Sequence, residues 1–268
     1  MRIEDFFNQN PVFRVEELDS FLGQKGKNAP QRRNSLLAYH RKKGRIINIK
    51  RSLYAVCPYD SSPDTLPVDP YLLAAKITQD GVLAYHSALE FYGRSYSVFN
   101  RFYYLSNQRA APVRFRDYEF HCVRVPLKLR EKNCPYFAVD NLDRLGTDAR
   151  VTSLERTLVD VLDRPDISGS WEEIWRSLES VEFFDIDKII EYTLLLENAT
   201  TAAKVGLFLD QHRDTLMVQD NHLKRLYDLK AKQPCYLERS KRQSGRLVSD
   251  WNIVVPENIL NRTWSEVL

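Results

Sequence analysis

The hydrophobic pattern of the first 57 residues changes its period once. Up to residue 43 the inward positions recur at helical spacing, as in the stripe formed by Leu36, Leu37 and His40. After Gly44 apolar and polar residues alternate, as expected of strands. The pattern therefore predicts helices over 2–9, 13–22 and 30–43 and then a β-hairpin over 45–57.

A proline-rich stretch, 58–70, separates this head from the rest of the chain and has the composition of a linker. Beyond it the pattern predicts, in order, helices Tyr71–Ile77 and Leu83–Tyr92, strands Phe99–Leu105, Tyr118–Val125, Phe137–Val139 and Ala149–Val151, helices 152–164, Trp171–Leu178, Ile186–Leu196, Thr201–His212 and Asn221–Leu229, and a last strand Arg246–Val255. We expect an α+β body, a small sheet followed by helices, with the last strand able to return to that sheet.

Three local signals predict where helices of the body begin. Thr152 with Glu155, and Ser170 with Glu173, have capping-box spacing. Asp185 is a natural N-cap for the helix that ends near residue 196.

Positive charge is concentrated in the head. Residues 1–57 hold 12 basic and 5 acidic residues, a net charge of +7, whereas the remaining 27 basic and 31 acidic residues give −4. Ten Lys and Arg lie between Lys25 and Arg51, where Asp and Glu are absent. A basic helix followed by a hairpin with a basic tip is typical of a winged helix-turn-helix that binds DNA. A solvated surface face is the alternative interpretation of this charge run.

Helical geometry assigns roles to the residues of the basic helix. Its outward face carries small, amide and aromatic residues suited to the base edges, namely Gln31, Asn34, Ser35 and Tyr39. We assign the cations of the helix and hairpin to phosphates, namely Arg32, Arg33, Arg41, Lys42, Lys43, Arg45, Lys50 and Arg51. His40 falls on the inward face, where we expect a packed core histidine. The later basic cluster of Arg239, Lys241, Arg242 and Arg246 is either a solvated loop or an additional attraction for nucleic acid.

One further pattern of polar residues can be interpreted either as a catalytic site or as local structure. Gly169-Ser170 followed by Asp185 and Asp187 resembles the Gly-Ser…Asp-x-Asp pattern of nucleotidyltransferases, in which paired carboxylates hold Mg²⁺. We favour helix caps instead, because no clear strand would present the two aspartates.

Two further groups of side chains are given structural interpretations. A charged group on one predicted helix is interpreted as a solvated face, with a partner-binding site as the alternative: Glu155, Arg156, Asp160, Asp163 and Arg164. Four aromatic residues are predicted to lie in the core: Trp171, Trp175, Phe183 and Phe184.

Several classes of protein are not indicated. The chain has no apolar stretch near the ~20 residues that a membrane span needs, and its N-terminus lacks the apolar core of a signal peptide. Four scattered cysteines, Cys57, Cys122, Cys134 and Cys235, have neither metal-ligand nor disulfide-scaffold spacing. His121 and Cys122 adjoin on a predicted strand and face opposite sides. We therefore expect a cytoplasmic protein with no catalytic residues, metal or cofactor.

The chain as a whole resembles one known family. Its head resembles the N-terminal domain of the AbiEi antitoxins of type IV (AbiE-type) toxin–antitoxin systems, on the segment VFRVEELDSFLG…RRNSLLAYHRKKGRIINIKRSLYAV. Segments of the body are similar to that family's C-terminal antitoxin domain: DPYLLAAKI, AYHSALEFYG, VTSLERTLVDVLDRPD, SWEEIWRSLESV and NATTAAKVGLFLDQHR. One departure is Ser52 at the hairpin tip, where we expect a glycine.

The resemblance implies a prokaryotic, cytoplasmic, DNA-binding antitoxin and transcriptional repressor. It would repress its own operon by binding inverted repeats in its promoter and counteract a co-encoded nucleotidyltransferase toxin without a tight complex. The predicted organisation is a winged helix-turn-helix domain at 1–58, a linker at 59–70 and an antitoxin domain at 71–268. The alternatives are a stand-alone winged-helix regulator with a ligand- or partner-sensing body, and an enzyme that uses Asp185 and Asp187.

Overall fold

The computed structural model describes residues 2–23, 28–58, 67–237 and 245–263. Within them the chain combines helices with several small sheets, consistent with the predicted α+β class. The described residues form two compact units, the first made of 1–83, 100–123 and 141–151, and the second of 84–99, 124–140 and 152–268. The predicted linker falls mostly on 59–66, outside the described residues, and the predicted domain boundary at residue 58 stays a prediction.

The first unit begins with three helices, α1 (Ile3–Gln9), α2 (Val15–Leu22) and α3 (Ala29–Lys42). The apolar faces of these helices meet in one core, whose buried members include Phe6, Phe7, Leu18 and Leu37. Helix α2 ends at Gly23, whose φ of 57° is the left-handed conformation that favours glycine at a helix C-terminus. All three predicted helices of the head are therefore confirmed.

A three-stranded sheet completes the head. Strands β2 (Ile46–Lys50) and β3 (Leu53–Val56) form the predicted hairpin, and β1 (Val12–Arg14) pairs with β3 to give the order β1-β3-β2. The predicted start of the second helix is two residues too early, because Phe13 belongs to β1. Its side chain is fully buried, and an apolar residue in a short strand looks like the first member of a helical stripe.

The rest of the first unit is helix α4 (Pro70–Lys76) and a six-stranded sheet of order β6-β7-β5-β4-β9-β8. Its strands are β4 (Val82–Leu83), β5 (Arg101–Ser106), β6 (Val113–Phe115), β7 (Tyr118–Arg124), β8 (Val139–Arg144) and β9 (Thr147–Thr152). The prediction of Leu83 in a helix is wrong: it pairs with Tyr104 and Val151 inside the sheet. Strand β6 was not predicted, and β8 lies further along the chain than expected.

The second unit is mainly helical. Its helices are α5 (His86–Phe91), α6 (Leu127–Glu131), α7 (Leu154–Asp163), α8 (Trp171–Glu179), α9 (Ile186–Leu196), α10 (Ala199–Gln211), α11 (Asp220–Tyr227) and α12 (Glu257–Leu260), with a 3-10 turn at Pro165–Ile167. The cap of α7 is Ser153, which accepts from Arg156 N, and not Thr152 as predicted. Ser170 and Asp185 cap α8 and α9 as predicted.

The last strands form a sheet of their own. Strands β10 (Cys235–Tyr236), β11 (Arg246–Val248) and β12 (Ile253–Val255) associate in the order β10-β12-β11. The predicted return of the last strand to the larger sheet is therefore wrong. Of the predicted basic cluster, Arg246 is exposed on β11, whereas Arg239, Lys241 and Arg242 lie outside the described residues.

Candidate nucleic-acid interface

Helix α3 turns one face into the core and most of its predicted DNA-contacting residues outward. Leu37 and His40 are buried, with 5% and 7% of their surface exposed, whereas Tyr39 is 57% exposed. The other exposed members of the predicted set on this helix and its end are Gln31, Arg32, Asn34, Ser35, Arg41, Lys42 and Lys43. The outward face therefore holds amide, hydroxyl and cationic groups within reach of a polyanion.

His40 is a core residue, as predicted. Its ring packs edge-on against Phe7, with 5.0 Å between ring centroids. Burial lowers the pKa of His40 and the Arg45 charge adds to that lowering, while Glu4 opposes it. A largely neutral imidazole suits this apolar contact.

Arg33 is attached to a neighbouring helix. Its guanidinium lies 2.6 Å from the Asp19 carboxylate on α2 and donates to Asn34 Oδ1. Arg33 is half-buried, whereas Asn34 is exposed. A phosphate contact by Arg33 would have to compete with Asp19.

Arg45 does not present its charge to the surface. It is 7% exposed, its Nη2 lies 2.9 Å from Glu4 Oε2, and its Nη1 donates to the Cys57 carbonyl. These contacts join α1 to both ends of the hairpin segment. We therefore withdraw Arg45 from the predicted phosphate contacts, because its role in the structure is to hold the head together.

The two cations at the hairpin tip differ in their exposure to solvent. Lys50 is half-buried and donates from Nζ to the Ile77 carbonyl at 3.2 Å, whereas Arg51 is exposed. Burial lowers the pKa of Lys50, and the nearby Arg14 charge lowers it further. Ser52 adopts a φ of 65°, so the expected left-handed turn is present without a glycine.

Two members of the charged group on α7 are not part of a solvated face, whereas Glu155, Asp163 and Arg164 are partly exposed. Arg156 is 0% and Asp160 2% exposed, and Arg156 Nε lies 3.4 Å from Asp160 Oδ2. Tyr192 donates to Asp160 Oδ1 at 2.6 Å, and Arg156 also donates to the Phe137 carbonyl at 2.6 Å. Burial raises the pKa of Asp160 to about 6, opposed by Arg156 and Tyr192. The predicted surface pair is a polar network in the core of the second unit.

A second buried network was not predicted. His86, 1% exposed, lies between two carboxylates, with Nδ1 3.0 Å from Glu90 and Nε2 3.0 Å from Glu173. Phe99 stacks on the imidazole at 3.9 Å between ring centroids, and Glu173 also accepts from the backbone N–H of Ser97. The capping-box spacing suggested that Glu173 would turn back to its own helix, so the sequence held no signal for this contact.

The two aspartates of the nucleotidyltransferase-like pattern have local partners. Asp185 accepts from Lys188 N as the cap of α9, and Asp187 lies 2.7 Å from Arg225. Across the described ranges, no group of three or more His, Cys, Asp or Glu is arranged to hold a metal ion.

The predicted core aromatics and thiols can also be placed. Trp175 and Phe184 are buried and Trp171 is half-buried, but Phe183 is 69% exposed, so its assignment to the core is wrong. The four cysteines are free thiols. His121 contacts Glu119, whereas the neighbouring Cys122 thiol contacts the Gln108 carbonyl.

Comparison with known proteins identifies a shared fold. The chain is similar to the RV2827C protein of Mycobacterium tuberculosis, whose crystal structure matches it with a TM-score of 0.62 at 16% identity, over 98% of this chain and 94% of that one. No family model matches the chain, and neither does any curated protein. None of the described helices is long and apolar enough to cross a bilayer. At this identity the likeness establishes the fold and leaves function to the chemistry of the site.

Proposed function

We propose that the chain is a DNA-binding antitoxin that represses its own operon, with residues 1–58 acting as a winged helix-turn-helix. The observation that carries the DNA-binding part is the outward face of α3, where exposed amide and cationic side chains stand together without a carboxylate. Arg41, Lys42 and Lys43 follow one another at the C-terminal end of α3, and all three are exposed. Such a surface gains affinity for DNA by releasing the counterions that neutralise its phosphates.

The roles within the interface differ by side-chain chemistry. The amides of Gln31 and Asn34 can bind an adenine edge in the major groove, and Ser35 can bond to either type of base pair. The exposed cations of α3 and Arg51 at the hairpin tip would contact phosphates and set the register. Arg33 takes part only if Asp19 releases it.

DNA binding is tested by fluorescence anisotropy with the chain's own upstream DNA across a salt series. The double variant Arg32→Gln/Lys42→Gln should weaken binding and flatten the salt slope by roughly 0.9 for each phosphate that the variant no longer neutralises. Arg213→Gln/Arg225→Gln is the matched control, because it likewise removes two positive charges, both from ion-paired arginines of the second unit. Equal affinity and slope in the double variant and the control would refute the assignment of α3.

The antitoxin part of the proposal is supported by the resemblance of the head and body segments to the AbiEi family. It implies a cytoplasmic protein, a neighbouring nucleotidyltransferase gene and neutralisation without a tight complex. Co-expression should restore the growth of cells that produce that nucleotidyltransferase. A neighbouring gene of another kind, or no rescue by a well-expressed chain, would refute it while leaving DNA binding intact.

A second candidate is a winged-helix regulator whose body senses a small molecule. The second unit contains a cleft of about 840 Å³ lined by both polar and aromatic side chains, among them Arg164, Trp171, Lys204 and Tyr236. A cleft of this size suits a small ligand. This candidate predicts that a metabolite changes operator affinity and that no toxin gene is adjacent. Rescue from a co-encoded toxin would favour the first candidate.

A further inference from the structure

A groove of about 550 Å³ lies beside the tip of the β2–β3 hairpin, within the first unit. It is lined by Arg14, Lys50, Arg51, residues 77–79 and residues 108–113. Four of these described lining residues are cations, with Arg109 as the fourth, and none of them is acidic. Arg14 and Arg109 were not among the predicted DNA contacts.

Two of the four cations have a structural role. Arg14 Nη1 donates to the carbonyls of Lys76 and Ile77, both at 3.1 Å, and Lys50 Nζ donates to Ile77. These carbonyls end helix α4, where the helix dipole favours positive charge. Arg14 Nε also lies 3.3 Å from the exposed carboxylate of Glu16. Helix termination therefore accounts for the position of Arg14 and Lys50.

Helix termination does not account for the positions of the other two cations of the groove. Arg51 and Arg109 are both exposed, and within the described residues neither forms an ion pair. The segment that carries Arg109 is nevertheless held in place, because Asp80 accepts from Ser106 Oγ at 2.6 Å and from Asn107 N at 2.7 Å.

Two arginines on the strands that flank the Arg109 segment behave differently. Arg101 and Arg114 both pair with Glu119 on the neighbouring strand β7. Among the described residues Arg51 and Arg109 thus lack a carboxylate partner, whereas Arg101 and Arg114 have one. Burial lowers the pKa of Lys50 and the Arg14 charge lowers it further, which is a further sign that positive charges lie close together there. An anion placed in the groove would relieve that repulsion.

We propose that this groove binds a phosphate of the duplex next to the site contacted by α3, with Arg51 and Arg109 as its ligands. The inference rests on the proposed DNA-binding function and extends the interface from the head to the segment after β5. The recognised chemistry is a phosphate anion, which either a DNA backbone or a free phosphate could supply. The hairpin tip at Arg51 makes the backbone the expected source, since DNA-binding folds position themselves through phosphate contacts flanking the groove that they enter.

The test measures the affinity of the full chain for its upstream DNA at several salt concentrations. Arg109→Gln should weaken binding about ten-fold at fixed salt, as expected when one hydrogen bond to a charged group is removed. It should also make the salt slope less steep by about 0.9. Arg101→Gln is the matched control, because it removes the same charge from an exposed but paired arginine of β5, the strand before Arg109, and it should bind like the unmodified chain.

Three results would overturn the inference, and each is distinguishable from failure of the proposed function. If the unmodified chain binds DNA and Arg109→Gln has the same affinity and slope, Arg109 does not contact a phosphate of the duplex. If Arg101→Gln weakens binding as much as Arg109→Gln, the effect is general electrostatics. Calorimetric titration with inorganic phosphate is the third arm: phosphate binding that disappears in Arg109→Gln while DNA affinity is unchanged would assign the groove to a free anion. A lack of DNA binding by the unmodified chain would instead contradict the proposed function itself.

Discussion

Removal of the buried guanidinium of Arg156 should lower the free energy of unfolding by more than removal of an exposed guanidinium does. Arg156→Met keeps much of the side-chain volume but leaves the Asp160 carboxylate, 2% exposed, without its cation. It also removes the donor to the Phe137 carbonyl. Breaking one side of a buried ion pair typically costs about 3–5 kcal/mol. We expect a loss of that size in the free energy of unfolding at pH 7.

Urea denaturation followed by circular dichroism measures this loss. Arg225→Met is the control: its ion pair with Asp187 has side chains 44% and 71% exposed, and such surface pairs contribute about 0–1 kcal/mol. The double variant Arg156→Met/Asp160→Asn should be more stable than Arg156→Met alone, because it no longer buries an unpaired charge.

The pH dependence gives a second check on the same reasoning. In Arg156→Met the Asp160 carboxyl loses the cation that lowers its pKa, so it takes up a proton more readily in the folded state. The difference in unfolding free energy between the unmodified chain and Arg156→Met should therefore become smaller as the pH falls from 7 to 5. A loss below about 1 kcal/mol at pH 7, the range of exposed pairs, would refute the buried network.

Further predictions concern single positions. Relative to Asp160→Asn, the unmodified chain should lose about 2 kcal/mol of unfolding free energy between pH 4 and 7, because burial raises the Asp160 pKa from 3.8 to about 6 and the folded state keeps its proton longer; a pH-independent difference would contradict this. Arg45→Met should lower the unfolding free energy by about 2 kcal/mol, because it removes charged hydrogen bonds, and leave the DNA salt slope unchanged; a flattened slope would restore Arg45 to the interface. Ser52→Gly should raise stability by up to about 1 kcal/mol in thermal melts, because it removes the cost of a left-handed serine, and a decrease would contradict the turn geometry. Gly206→Ala should cost about 1–3 kcal/mol by overlap with the Trp251 ring, and an unchanged melting temperature would show that the ring can move aside.

The head illustrates how far local patterns reach. Its three helices and hairpin follow from short-range periodicity, a glycine stop at residue 23 and a change of period after Gly44. The exposure of Lys42 follows too, because a helix turns fixed positions outward. The partner of Arg45 could not be predicted, since Glu4 lies 41 residues away along the chain.

The body shows where the same patterns fail. An i, i+4 pair such as Arg156 and Asp160 looks alike whether it faces water or the core, because spacing reports proximity and not burial. Only the packing of α9 against α7 places Tyr192 beside Asp160. Likewise, the capping-box spacing at Glu173 does not show that its carboxylate contacts His86 on another helix.

The sequence by itself determined the helical and strand periods of the head, the excess of positive charge there, and which face of α3 points outward. Each of these depends on residues only a few positions apart. Tertiary structure alone decided which charges remain open to a polyanion. It neutralised Arg33 with Asp19, buried Arg45, and left Arg51 and Arg109 exposed beside one groove. The physical reason is that an ion pair depends on distance in space, and chain folding sets that distance independently of separation along the sequence.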